Sequence, residues 1–136
     1  LLNDPALMPV INQVPWVPHD ECIDYLYQSD ILLIIQPETK LQIPAKLYEY
    51  LATDIPILVI GEKDGSIDNL LQREGWGSVI ENDVQEIKKK LYEYYRQFKE
   101  RGTDIKKPRK GIEKYEYAQL ARDITDIFDE VIHGTD

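Results

Sequence analysis

The sequence predicts an α/β domain with a mostly parallel sheet, and two observations carry this prediction. Short, continuous apolar runs at Ile31–Ile35 and Ile57–Ile60 are typical of strands covered on both faces. The segments around these runs carry apolar residues at helical spacing. Strands that alternate with helices form βαβ units, whose strands run parallel.

The N-terminal part of the chain predicts one weak strand and one helix. Prolines at positions 5 and 9 predict an irregular conformation for residues 1–9. A short strand is expected at Val10–Val17. Pro15 interrupts it, because proline has no N–H to donate to the ladder of hydrogen bonds. A helix follows at Asp20–Gln28. We expect Cys22 on its apolar face, as a buried thiol.

The centre of the chain predicts a helix between the two apolar strands. The strand Ile31–Ile35 leads through a loop, Pro37–Gln42, into a helix at Pro44–Thr53. Pro44 suits the first helical position, where an N–H group has no partner. Helical spacing places two sets of residues on opposite faces: Leu47, Tyr48, Leu51 and Ala52 on one, and Lys46, Glu49, Tyr50 and Thr53 on the other.

The rest of the chain predicts helices around one more strand. A loop over residues 61–64 precedes a helix at Ser66–Arg73, and a short strand follows at Trp76–Ile80. Asp83 and Glu86 have the spacing of a capping box at the start of a long helix. A polar connection, Arg101–Gly111, leads to a last helix at about residues 113–132. Its apolar stripe consists of Leu120, Ile124, Ile127 and Val131.

Composition indicates one domain, residues 1–136, and excludes several classes. The 136 residues suffice for one core, and the net charge of −9 argues against nucleic-acid binding. An anionic ligand would therefore need local positive groups. The single cysteine cannot form an intrachain disulfide, and neither histidine has neighbours at metal-ligand spacing. We expect no metal site.

The tyrosines at 92, 94, 95, 115 and 117 are expected to pack between the two C-terminal helices.

Several segments, in order, resemble the nucleotide-sugar-binding domain of GT-B glycosyltransferases of the group 1 type. They are Val14–Glu21 (VPWVPHDE), Tyr27–Leu33 (YQSDILL), Pro44–Ala52 (PAKLYEYLA) and Pro56–Leu58 (PIL). The resemblance implies a Rossmann-like sheet flanked by helices, forming part of the GT-B C-terminal domain, with two long helices at its C-terminal end. It also implies sugar transfer from a nucleotide diphosphate sugar to a hydroxyl acceptor, with retention and without a metal or other cofactor.

The resemblance also implies a donor site at the start of the central helix. Glu49 would accept hydrogen bonds from the ribose hydroxyls, and Lys46 would lie toward the diphosphate. Pro44 and Ala45 would offer backbone at the helix mouth. The sequence departs from the family at Leu41, where a first glutamate is usual, so Glu38 is the nearest acid that could touch the sugar.

A second departure is Asp54, where the family usually has glycine. Aspartate tolerates a left-handed turn, so the fold can accommodate the exchange. The resemblance assigns no catalytic residue within this chain.

The same resemblance implies a fragment of a longer protein. The acceptor would bind through an absent N-terminal domain, the protein would work in the cytoplasm or at the inner face of the membrane, and unpaired strand edges would promote self-association. Two alternatives stay open. One is a non-enzymatic nucleotide-binding or interaction module, such as a receiver, which Gln36–Pro37 after the strand disfavours. The other is a nucleotide-sugar epimerase on the same fold.

Overall fold

A computed structural model, which describes residues 4–36, 38–102, 106 and 108–134, shows an α/β architecture with five α-helices and a two-stranded parallel sheet. None of the helices in these ranges has the length and apolarity needed to cross a membrane. Single 3₁₀ turns lie at Met8–Val10 and Ile112–Tyr115. The elements are α1 (His19–Tyr27), β1 (Leu32–Gln36), α2 (Ala45–Leu51), β2 (Ile57–Gly61), α3 (Ser66–Arg73), α4 (Val84–Arg101) and α5 (Tyr117–His133).

The sheet pairs β1 with β2 in parallel, with Leu32 opposite Ile57 at one end and Gln36 opposite Gly61 at the other. The strand expected at Trp76–Ile80 is reduced to one residue, since only Ile80 bridges to Ile60. Gly75 and Gly77, at φ 68° and 138°, turn the chain just before it could extend.

The strand expected at Val10–Val17 is not formed. Residues 11–18 have no regular structure, and the apolar side chains before Val17 are exposed, with Trp16 88% accessible. Prolines at positions 9, 15 and 18 remove ladder donors from this short segment. The prediction of a strand at Val10–Val17 is wrong, because an apolar segment forms a strand only where another strand is available to pair with it.

The buried side chains lie mainly on one side of β1. Leu32 and Ile34 are buried, whereas Leu33 and Ile35 are 47% and 57% accessible, so the expectation that this strand is covered on both faces is wrong. β2 is more enclosed, with Leu58, Val59 and Ile60 all buried. The main cluster contains Ile34, Leu47, Leu51, Val59, Ile67, Leu70, Leu71 and Val79, and a smaller one contains Leu26, Leu32 and Ile55.

Helices α1 and α2 form near the expected positions but differ in detail. Cys22 is exposed, so the expectation of a buried thiol is wrong; α1 buries only Leu26 and half-buries Ile23. Pro44 is the N-cap of α2 rather than its first residue. After α2, Thr53 is buried and Ala52 exposed, the reverse of the expected faces, since the Thr53 hydroxyl donates to the carbonyl of Tyr50 at 2.7 Å.

The ends of α3 lie as predicted, at Ser66 and Arg73. Asp83 caps α4 as predicted, accepting from the N–H groups of Gln85 and Glu86. Glu86 does not complete the capping box. Its carboxylate accepts from the N–H of Glu81 at 3.3 Å and pairs with Lys63 at 3.1 Å.

The tyrosines do not pack between α4 and α5 as expected. Tyr94 donates its hydroxyl to the carbonyl of Ile57 at 3.1 Å. The ring of Tyr115 lies 5.3 Å from that of Tyr48 and 5.8 Å from that of Trp76. The other three are exposed: Tyr92, Tyr95 and Tyr117. The chain is extended at Glu116, so α5 begins at Tyr117 and not at the expected residue 113.

The carboxylate of Asp68 joins three parts of the fold. It accepts hydrogen bonds from the N–H of Val79 at 2.9 Å, the N–H of Asp64 at 3.0 Å and the amide of Gln72 at 2.8 Å. Asp68 is 2% accessible. Burial alone would raise the pKa of Asp68, but these hydrogen bonds and the charge of Lys63 outweigh it and lower the pKa.

Replacing this carboxylate is expected to destabilise the fold. In Asp68→Asn the amide group would face at least one of the donors, so we expect a loss of about 2–4 kcal/mol in the free energy of unfolding. Urea denaturation at pH 7 measures this loss. Asp64→Asn, the same change at an exposed position in the adjoining loop, is the control and should change stability little.

The pH dependence follows from the lowered pKa. Because the folded pKa of Asp68 lies below the unfolded one, its stabilisation is complete above the unfolded pKa and is lost as pH falls through the folded pKa. The stability difference between wild type and Asp68→Asn should therefore shrink as pH is lowered below about 4. A difference that stays constant down to pH 2.5 would contradict the assignment.

Candidate functional site

The carboxyl ends of β1 and β2 lie at one edge of the sheet, and the two loops that follow them are joined there. The N–H of Ser66 donates to the carbonyl of Lys40 at 2.6 Å, and the N–H of Glu38 donates to the carboxylate of Glu62 at 3.3 Å. Open α/β sheets bind ligands outside the carboxyl ends of their strands. This edge is therefore the candidate site.

Gly65 allows the two loops to approach each other. A Cβ atom at this position would lie 3.0 Å from the carbonyl oxygen of Glu62 and 3.2 Å from that of Lys40. Both neighbours are backbone atoms, so they could not swing aside. The contact between the loops thus depends on glycine here.

Backbone donors are available at the start of α2. The N–H of Leu47 donates to the carbonyl of Pro44 at 2.9 Å, whereas those of Ala45 and Lys46 have no acceptor within the described ranges. α2 has only seven residues, so its dipole is short and most of the positive potential must come from side chains.

Lys46 and Glu49 lie one helical turn apart on α2, and both are exposed. Among the ion pairs of the described residues, none joins Lys46 to Glu49 or engages Lys40. Lys63, in the neighbouring loop, is occupied by Glu86 at 3.1 Å and Glu81 at 3.5 Å. Lys40, which the sequence analysis missed, is thus a second candidate cation at this edge.

Glu38 lies in the loop between β1 and α2, in the left-handed conformation with φ 65°. Its side chain is exposed, and the described hydrogen bonds do not connect it to Lys46 or Glu49. Pro37, at the start of the expected loop, lies outside the described residues. Glu38 thus lies at the same edge of the sheet as the start of α2, and its contact with a sugar stays a prediction.

The exit from α2 is held by Asp54 and Arg109. Asp54 adopts φ 60°, which confirms that aspartate takes the left-handed turn here. Its carboxylate accepts from the N–H of Arg109 at 3.1 Å, and the guanidinium of Arg109 donates to the carbonyls of Leu51 at 3.0 Å and Ile55 at 2.7 Å. Burial lowers the pKa of Arg109, and the charge of Asp54 opposes that effect.

The role of Arg109 is not visible in the sequence, because this residue lies in a basic connection that is typical of a solvated surface. Part of that connection, residues 103–105 and 107, lies outside the described residues. No local pattern signals that this one cation turns inward, since its partners lie more than fifty positions earlier in the chain. Its role in this structure is to satisfy carbonyls left by the end of α2.

A cavity of about 360 Å³ lies at the other end of β2, beside Pro56, Ile57 and Tyr94. It contains none of the five expected site residues. Its two cations are already engaged, Arg109 by backbone carbonyls and Lys90 by Glu93 at 3.3 Å. We therefore treat it as packing space rather than as the ligand site.

Comparison with family models, with curated proteins and with solved structures found no match. Within the ranges that the structure describes, no three histidine, cysteine, aspartate or glutamate side chains gather as a metal site would require.

The anchoring role of Arg109 can be measured. Arg109→Lys keeps a positive charge but lacks the planar guanidinium, whose two NH2 groups each reach one of the carbonyls, so we expect the free energy of unfolding to fall by about 1–3 kcal/mol. Arg109→Met should cost more, because both carbonyls lose their donor. Thermal unfolding of both variants tests this order, with Lys110→Met, at an exposed neighbour, as the control. Equal stability of the lysine variant and wild type would contradict the bridging role.

Proposed function

We propose that this chain is the nucleotide-binding part of a glycosyltransferase, with a Rossmann-like sheet whose carboxyl edge holds a nucleotide diphosphate sugar. The observation that carries the proposal is the exposed pair Lys46 and Glu49 on α2, with no ion pair between them in the described chain. A cation and a carboxylate one turn apart suit a ligand that has both a diphosphate and a pair of hydroxyls.

Each group has a distinct task in this proposal. Lys46, with the N–H groups at the start of α2, stabilises the negative charge that develops on the leaving diphosphate. Glu49 accepts hydrogen bonds from two vicinal ribose hydroxyls through its two oxygens. Pro44 and Ala45 shape the helix mouth, and Glu38 contacts the donor sugar. The acceptor and any catalytic base belong to another part of the enzyme.

Electrostatics make the local cations essential. The chain has a net charge of −9, which repels an anionic donor at long range. Lys40 and Lys46 are the cations at this edge without an ion pair in the described ranges, so they offset the acidic field locally.

We place the enzyme in the cytoplasm, with any contact to the membrane surface made through the lysines of α4.

The sheet supports the Rossmann-like assignment in part. The spatial order runs from the bridge at Ile80 through β2 to β1, with the connecting helices between consecutive strands. This is the order expected of one half of a doubly wound sheet. The remaining strands would continue from the free edge of β1.

A receiver-like module is the weaker candidate. Receivers need an acidic residue at the end of a central strand, whereas β1 ends at Gln36, whose amide donates to the Thr39 hydroxyl at 3.0 Å. An epimerase on the same fold would share the donor site, so it differs from our proposal in the reaction and not in the ligand.

The ribose contact is tested with Glu49→Ala. Hydrogen bonds to a charged group are worth about 1.5–3 kcal/mol, so binding of the donor should weaken about ten- to a hundredfold. Calorimetry with UDP-, GDP- and TDP-sugars measures the affinity. Glu100→Ala removes an exposed glutamate from α4 and serves as the control. Unchanged affinity for the donor that binds wild type would refute the role of Glu49.

The phosphate contact is tested with Lys46→Met. We expect a larger loss of affinity for the nucleoside diphosphate than for the matching nucleoside, because only the former presents charge to the lysine. Lys89→Met, at an exposed position on α4, controls for the change in net charge. Equal losses for both ligands would show that Lys46 does not contact phosphate.

A further inference from the structure

Helices α4 and α5 bury no residue, although each carries an apolar stripe. On α5 the stripe repeats every three or four positions and is 40–76% accessible over Leu120, Ile124, Ile127 and Val131. On α4 the exposed stripe consists of Val84, Leu91, Tyr95 and Phe98, at 37–74%. Helices of this length are normally stabilised by packing of such a face. Among the described residues, neither stripe is covered.

The two helices carry opposite charge. α5 contains four acidic residues and one arginine, while α4 contains six basic and three acidic residues. Asp123 and Glu130 lie beside the stripe of α5, one heptad or about two helical turns apart. On α4, Lys88 lies within the stripe and Lys99 lies beside it. These two lysines and the two acidic residues of α5 all have exposed side chains.

Two anchors fix the chain just before α5. Arg109 is tied to Leu51 and Ile55 at the exit of α2. Just before α5, Tyr115 and Lys114 both bind the carboxylate of Glu74, at 3.0 and 2.6 Å. The start of α5 is thus fixed beside the end of α3, where Leu120 lines a shallow groove with Glu74 and Tyr115. The rest of the stripe, Ile124, Ile127 and Val131, is 53–76% accessible.

We propose that α5 of one copy packs along α4 of a second copy, stripe against stripe, so that the chain forms a homo-oligomer. The acidic border of α5 argues against an anionic membrane surface as the partner. A second copy supplies α4, whose apolar stripe is bordered by basic side chains. The two helices also have nearly equal lengths, 18 residues in α4 and 17 in α5.

The size of the surface is adequate for reversible association. In a reciprocal dimer both helices of each copy contribute. Each helix is about 25 Å long and about 10 Å wide, so the projected area is roughly 500 Å² per copy. A standard stable interface buries about 800 Å² per partner, and protruding side chains raise the buried area above the projected one. We therefore expect micromolar association into a closed dimer, because a non-reciprocal contact would bury only half of this area at each interface.

Charge reversal gives a specific test. Lys88→Glu with Lys99→Glu makes α4 acidic, and Asp123→Lys with Glu130→Lys makes α5 basic. Alone, each double variant sets like charges against each other in its own oligomer, so its dissociation constant should rise at least about tenfold. Mixed together, the two should associate again, because each reversed helix meets an opposite charge on the other chain.

Sedimentation velocity between 1 and 200 µM, on the whole chain, measures these states, and far-UV circular dichroism checks that each variant keeps its helices. Matched controls reverse the same number of charges on the far faces: Lys89→Glu with Arg96→Glu, and Asp126→Lys with Asp129→Lys. The controls should associate as wild type does. A monomeric wild type, reversed variants that associate normally, or a mixture that stays monomeric would each overturn the proposal.

Discussion

The buried carboxylate of Asp68 is the contact on which this fold depends. It holds the loop after β2, the first turn of α3 and the backbone of Val79 in one hydrogen-bonded group. A two-stranded sheet has little stability by itself, so β2 needs a neighbour on its second side. Asp68 fixes Val79 and thereby places Ile80 where it bridges to β2.

The C-terminal third of the chain depends on contacts of a different kind. Arg109 closes the end of α2, and Glu74 gathers Arg73, Lys114 and Tyr115, which lowers the pKa of Glu74 to about 2. The largest cause is the hydrogen bond from Lys114. Because this folded pKa lies below the ordinary value, its stabilisation is present at neutral pH and is lost only in strong acid. These anchors position α5 without burying it, which leaves its apolar stripe for another surface.

The candidate site combines a rigid base with exposed functional groups. The loops after β1 and β2 are held together by backbone hydrogen bonds and by the absence of a side chain at Gly65. Lys46 and Glu49 project from a helix whose inner face, Leu47 and Leu51, is fully buried. Such groups are positioned by packing while remaining open to a ligand, which is the arrangement that precise recognition requires.

The sequence by itself determined the order of helices and strands from β1 to α3, the ends of α3, the cap of α4 at Asp83 and the left-handed turn at Asp54. These features follow from local chemistry: apolar periodicity, a side-chain acceptor at a helix start, and a residue type that tolerates positive φ. Lys46 and Glu49 also share an exposed face, as helical spacing required. Only the tertiary structure decided that Val10–Val17 pairs with nothing, that Cys22 is exposed, that one face of β1 is open and that Arg109 turns inward. Each of these depends on which distant segment supplies a partner, and strand pairing and burial are set by neighbours that local sequence does not specify.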